Sequence, residues 1–162
     1  MRIVRLSREL CRERVAALVA LDAALRREMG ERYSTEDWGE ENFVRELPGK
    51  WELSHLAEEE GATRGFWIAS DRGAWVHIHR VGVAATHRGR GLGSLLFAAC
   101  RERAEGLGRP HFTVCLAAGN EAAHAFYERL GFHPASPQTL QGFLAGTGTE
   151  ARDFQNVLLE RG

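Results

Sequence analysis

The sequence predicts one mixed α/β domain, a sheet layered with helices. Short segments of apolar and β-branched residues alternate with longer segments whose apolar residues recur at helical spacing. No internal repeat, low-complexity tract or linker divides the chain, so residues 1–162 are read as a single unit, a length that suits one domain. A domain of this size buries roughly 70% of its unfolded surface and needs no disulfide or metal to fold.

The elements are read in chain order. MRIVRL is a short first strand. SRELCRERVAALVALDAALRREMG places Leu10, Val15, Leu18, Val19, Leu25 and Met29 near helical spacing, with Gly30 as the stop. STEDWGEENFVREL opens with cap residues and acids and reads as a short second helix, ended by Pro48-Gly49. KWELSHLAEE, TRGFWIAS and AWVHIHRVGVAA read as three successive strands, broken by EEEGATR and DRG. Gly82 in the third marks a bulge or a close backbone approach. Leu92, Leu95, Leu96, Ala99 and Leu107 make the stripe of a further helix, which Gly106 and Gly108 end. PHFTVCLAA is an apolar strand, and NEAAHAFYERLGF a capped helix ending at Gly131. SPQTLQGFLAGTGTEA reads as loop, and RDFQNVLLE as the closing strand.

Composition excludes several classes of function. Net charge is −1 and pI about 6.7, so the footprint of a nucleic-acid binder is absent and no nucleic-acid partner is expected. No apolar stretch approaches the roughly 20 residues of a membrane helix, and no signal peptide is apparent. Cys11, Cys100 and Cys115 are odd in number and widely spaced, which fits reduced, mostly buried thiols in a cytoplasmic protein rather than a zinc or disulfide framework. His55, His111, His124 and His133 are scattered and read as structural or exposed. Trp38, Trp51, Trp67 and Trp75 read as mostly core, and Glu58 to Glu60 as a solvated turn.

The stretch HRGRGLGSLL sets glycines and fixed positive charge immediately before a helix. Glycine lets the backbone approach a ligand closely, and a helix N-terminus offers unpaired N–H groups and partial positive charge. The combination suits a phosphate. A Walker A loop is absent, and Ser94 stands where a dinucleotide fingerprint needs its third glycine. What remains is R-x-x-G-x-G, filled by Arg88, Gly91 and Gly93; the plain alternative is a glycine-rich turn.

VGVAATHRGRGLG followed by NEAAHAFYERLGF resembles the GNAT superfamily of acyl-CoA-dependent N-acetyltransferases. The resemblance runs from about Trp75 to Phe132. It implies a mostly antiparallel central sheet with helices on both faces and splayed strands at the cofactor site. It also implies acetyl-CoA as acyl donor, no metal, and transfer of acetyl to a primary amine on a small molecule or peptide, by direct attack in a ternary complex. A monomer or homodimer is expected. The alternatives are a non-catalytic acyl-CoA sensor, or an enzyme of another class that binds a nucleotide phosphate with this loop.

The resemblance further implies roles for residues. Arg88, Gly89, Arg90, Gly91, Leu92, Gly93 and Ser94 would wrap the pyrophosphate of coenzyme A, with Leu92 pointing inward. Val81, Gly82 and Val83 would pair with the pantetheine arm, and the Val83 N–H would polarise the acetyl carbonyl. Asn120 would bond the pantetheine region, a role compatible with capping its helix. Ala123 and Phe126 would complete the cofactor wall. Tyr127 would protonate the departing thiolate; its plain alternative is a core tyrosine. His77 and His79, two residues apart on one strand, resemble the paired histidines of serotonin N-acetyltransferases and are candidate bases near the ordinary pKa of about 6.5. Sheet packing is the alternative for His79. Ribosomal-protein N-terminal acetyltransferases usually carry a glutamate five residues before the asparagine; Cys115 stands there, which shifts weight to His79 or a water relay. The acceptor pocket would draw on the variable parts, about Tyr33 to Gly49, with Trp38, and Ser136 to Ala151.

Overall fold

A computed structural model of the chain describes residues 1–34, 36–150, 154 and 156–162. Among these, strands form one sheet in the order β1-β2-β3-β4-β5-β7-β6. The strands are β1 (Arg2–Arg5), β2 (His55–Glu59), β3 (Ala62–Asp71), β4 (Val76–Val83), β5 (Phe112–Leu116), β6 (His133–Pro134) and β7 (Val157–Arg161). The helices are α1 (Arg8–Met29), α2 (Glu40–Val44), α3 (Lys50–Leu53), α4 (Leu92–Gly106), α5 (Glu121–Arg129) and α6 (Pro137–Thr147). The pairing of β4 with β5 is parallel, and the remaining described pairs are antiparallel. Helices lie on both faces. Phe66 and Ile68 of β3 pack with Cys11 and Leu18 of α1, while Trp67 and Ala69 pack with Leu92, Leu96 and Phe97 of α4.

Helix α1 begins where expected. The Ser7 side chain accepts the Leu10 N–H, and Gly30 takes the positive φ (63°) that ends the helix. Its buried stripe is Cys11, Leu18, Asp22 and Leu25, so a carboxylate occupies an apolar position.

Four local readings are corrected. The segment expected to be loop holds α6: Ser136 caps it, Pro137 occupies its first turn, and Gly148 closes it in the left-handed conformation. Residues Lys50–Leu53 are a helical turn, and the strand behind them starts at His55. The second helix starts at Glu40, not near Ser34. In α4 the buried residues are Leu92, Leu96, Phe97, Cys100 and Ala104, while Leu95 and Leu107 are exposed. The closing strand is described from Val157; Arg152, Asp153 and Gln155, which the sequence reading included in it, lie outside the described residues.

The bulge in β4 falls at His79, not Gly82. Ile68 pairs with Arg80 and Ala69 with Ile78, leaving His79 without an opposite residue. One extra residue reverses which face the following side chains take. Val76 and Ile78 face the α4 core before it, and Val81 and Val83 face the same core after it. Arg80 and Gly82 therefore turn toward α1. Gly82 pairs regularly with Phe66 and is required by packing: a Cβ there would lie 2.6 Å from Leu25 Cδ1 and 2.7 Å from the Phe66 ring.

Beyond the bulge the sheet opens. β4 pairs with β5 only through Val76, Ile78 and the residue between them, opposite Phe112–Val114. Past that point β4 stays with β3 as far as Val83, and β5 stays with β7 as far as Leu116. The gap between the diverging strands is the site.

Candidate functional site

The first part of the site is a groove of about 560 Å³ at the opening of the sheet. Val81, Gly82 and Val83 form its strand wall, and Asn120, Ala123 and Phe126 its α5 wall. The loop wall is Arg88, Gly89, Gly91, Leu92, Gly93 and Ser94. Arg90 is exposed and is not among the residues that line this groove.

The loop geometry explains its glycines. Gly89 and Gly91 have φ of 76° and 77°, which L side chains rarely adopt, and Gly91 caps α4. Gly93 lies against Phe126, where a Cβ would come within 2.9 Å of the ring. The N–H groups of Leu92, Gly93 and Ser94 belong to the first turn of α4 and have no partner within the helix. Leu92 is buried and anchors that turn in the core, as expected. Arg88 is tied to Glu28 of α1 by two contacts of 2.6 and 2.9 Å, and donates to the Val83 carbonyl. These donors and the helix terminus suit a phosphate or pyrophosphate.

The strand wall offers backbone to an extended ligand. The Ala84 N–H donates to the Arg64 carbonyl at 2.8 Å. By antiparallel alternation, Gly82 and Arg80 also bond toward β3, while Val81 and Val83 direct their N–H groups to the open side. An extended chain carrying amide groups fits such an edge as one more strand.

A narrow neck of about 90 Å³ continues inward, lined by His79, Val114, Cys115 and Tyr127, and sharing Val81, Asn120 and Ala123 with the groove. Asn120 accepts the Ala123 N–H at 3.2 Å, so it caps α5 while facing both spaces. Tyr127 is 3% exposed and packed among Phe126, Phe132 and Trp67. Burial raises its pKa, so the phenol keeps its proton across the working range. Burial likewise pushes the Cys115 thiol up to about 11, which argues against a thiolate nucleophile.

Beyond the neck a chamber of about 410 Å³ is lined by His77, His79, Arg72, Phe143, Tyr33 and Trp38, among others. The two histidine rings meet edge to face, with centroids 4.8 Å apart. Each is held from its own side: His77 Nδ1 shares a hydrogen bond with Thr113 Oγ1, and His79 Nε2 with Ser70 Oγ, both 2.7 Å. Burial first, then Arg72, Lys50 and Arg45, bring the His79 pKa down to about 3. Burial, His79 and Arg72 hold His77 well below the ordinary histidine range. Both rings are neutral at neutral pH, which corrects the expectation of a base near 6.5.

Sequence reading missed the group that walls this chamber. Arg80, re-aimed by the bulge, meets Asp22 of α1 in a two-pronged ion pair of 2.8 and 2.9 Å. Tyr33 donates to Asp22 Oδ1 at 2.7 Å, and Arg80 donates to Ser34 Oγ at 2.7 Å and the Glu36 carbonyl at 3.1 Å. The guanidinium also lies over the rings of Tyr33 and Trp38. One buried cation thus fixes this wall. The available signal was Asp22 itself, a carboxylate in an apolar helical stripe. Among the described residues, no group of His, Cys, Asp or Glu could hold a metal ion, and no helix is long and apolar enough to cross a membrane.

Comparison with known proteins shows the family and the fold. Residues 18–132 match the model of the acetyltransferase (GNAT) family. The chain is 39% identical over 86 residues to mycothiol acetyltransferase of Corynebacterium aurimucosum, covering 51% of this chain and 28% of that protein. It is 37% identical over 84 residues to 5-NmdU N-acetyltransferase of Pseudomonas phage PaMx11, covering 48% and 55%. The matches thus span between about a quarter and about half of these curated relatives. In structure the chain is similar to PaiA N-acetyltransferase of Thermoplasma acidophilum in complex with coenzyme A, with a TM-score of 0.73, 14% identity, and coverage of 99% and 97%.

The depressed histidines link site to stability. Their folded pKa values lie below the unfolded value of about 6.5, so as pH falls below that value the unfolded chain takes up protons that the folded chain refuses. Stability is therefore full above pH 6.5 and is lost toward lower pH, by up to about 1.4 kcal/mol per pH unit per histidine. The melting temperature should fall between pH 7 and pH 5, and His79→Gln should flatten that fall. A slope unchanged by the substitution would mean that His79 titrates normally.

Proposed function

Because the chain belongs to the acetyltransferase (GNAT) family, we propose that it transfers the acetyl group of acetyl-CoA to a primary amine by direct attack in a ternary complex. The observation that carries this reading is the continuity of groove, neck and chamber along the parting of β4 and β5. Val81 and Asn120 line groove and neck, and His79 and Tyr33 line neck and chamber. The donor enters from one end and the acceptor from the other, and the two meet at the neck.

Each residue then has a task. The first turn of α4, with Gly89 and Gly91, binds the pyrophosphate. Val81 and Val83 hold the pantetheine arm, and the Val83 N–H stabilises negative charge developing on the thioester oxygen. The amine nitrogen attacks the carbonyl carbon, the carbon–sulfur bond breaks, and Tyr127 gives its proton to sulfur and takes one back from solvent as the products leave. A free phenol is a weaker acid than a thiol, with pKa values near 10 and 8.5. The transfer therefore follows charge as it develops on sulfur beside the ring.

The amine proton leaves toward the chamber. A histidine whose pKa lies near 3 does not strip a resting ammonium, which is stronger in its hold on the proton by several units. His79, with His77 behind it, instead passes on the proton of the nitrogen once that nitrogen has bonded to carbon and become acidic. The acceptor reacts as its free base.

Two measurements test this. In Tyr127→Phe, acetyl-CoA affinity should change little while turnover falls roughly 10²–10⁴-fold; near-full turnover would make Tyr127 structural. In kcat/KM profiles with amines of different pKa, the acidic limb should follow the amine and persist in His79→Ala at a lower rate. A limb fixed near pH 6.5 that disappears in His79→Ala would restore the histidine as an ordinary base.

A further inference from the structure

The wall of the chamber carries an exposed guanidinium that the fold leaves without an ion-pair partner among the described residues. Arg72 sits in the turn between β3 and β4, its backbone N–H held by the Trp75 carbonyl at 2.9 Å. Its guanidinium carbon lies 5.6 Å from the centroid of Phe143, and Phe143 lies 5.3 Å from His77. All three line the chamber. The adjacent carboxylate, Asp71, is engaged elsewhere: it accepts from Arg109 at 2.9 Å and from the Gly73 N–H at 2.9 Å. Among the described residues no carboxylate forms an ion pair with Arg72.

The rest of the chamber leaves this charge unbalanced at its own wall. His77 and His79 are neutral, and Arg80 is matched by Asp22. Glu36 belongs to the wall held by Arg80, where its carboxylate accepts from Trp38 Nε1. A flat guanidinium lying over an aromatic ring keeps its N–H edge available, and that edge matches a carboxylate.

We propose that Arg72 selects the acceptor: the amine carries a carboxylate, which docks on the Arg72 guanidinium while the amino group lies at His79. The substrate class is that of small amino acids, since the chamber of about 410 Å³ holds Arg72 and His79 in one polar-lined space. The inference rests on the acetyltransferase reading and goes beyond it in naming the acceptor's second functional group.

The test uses acetyl-CoA-dependent thiol release with amino acids of α, β and longer spacing, each paired with its carboxamide. At the productive spacing the wild-type protein should favour the carboxylate over the carboxamide in kcat/KM. Arg72→Gln should lower that ratio about 10-fold, the lower range for a charge-assisted hydrogen bond. Arg72→Lys should recover part of it. Comparing ratios between enzymes cancels the difference in amine pKa between acid and amide. Retention of the acetyl-CoA thermal shift shows that the variants are folded. Carboxamides preferred at every spacing, or a ratio unchanged in Arg72→Gln, would overturn the role of Arg72 and leave the acetyltransferase reading standing. Thiol release with no amine in the panel while acetyl-CoA binds would overturn the assignment of these acceptors. Absence of acetyl-CoA binding would overturn both readings.

Discussion

β4 and β5 hold together over three residue pairs and then part, and the rest of the site depends on that parting. A sheet that stayed paired would spend the N–H groups of Val81 and Val83 on its own ladder. Separated, those groups face the open groove. The bulge at His79 makes the arrangement consistent with a core: it lets β4 present Val76 and Ile78, then Val81 and Val83, to the same hydrophobic face while Arg80 swings to the other. One unpaired residue thus sets the groove wall, the chamber wall and the position of a histidine.

The swing of Arg80 exposes the molecule to a penalty, because a buried charge without a partner costs several kcal/mol (roughly 3–5 when a pair is broken). Asp22 meets it from α1, whose buried stripe is otherwise apolar. Tyr33 and Ser34 take up the remaining polar capacity, so the pair is hydrogen-bonded on both partners. The pair links α1, the segment after it and β4 at the chamber, while Arg88 and Glu28 link α1 to the 88–94 loop at the groove. Helix α1 is therefore common to both halves of the site.

Much of this was legible in the sequence where chemistry and local geometry coincide. The glycines of 89–93 require positive φ or close approach, and Asn120 and Tyr127 fall on a short, well-capped helix. Gly82 was legible as a bulge or a close approach, and close approach is its use: its lack of a side chain admits Leu25 and Phe66, contacts distant in sequence. The bulge was read at Gly82 and falls at His79, which carries no local signal. Asp22 and Arg80 are 58 positions apart, and neither was singled out, although Asp22 is a carboxylate in an apolar helical stripe. Helix α6 was obscured by its glycines, although Ser136, Pro137, the spacing of Leu140, Phe143 and Leu144, and Gly148 spell a start, a face and a stop. Helix α3 is a single turn, too short for periodicity to show.

The central claim is that the opening between β4 and β5 holds the acyl donor as an added strand, with its pyrophosphate on the first turn of α4. Residue-resolved amide hydrogen exchange, with and without acetyl-CoA, tests it most directly. Slowed exchange should appear at Val81 and Val83 on the open edge and at Leu92, Gly93 and Ser94 in the loop and first turn. The N–H groups of Gly82 and Ala84, already bonded to β3, should change far less. Uniform slowing along β4, or binding of acetyl-CoA with no protection at Val81, Val83 and the first turn of α4, would contradict the account.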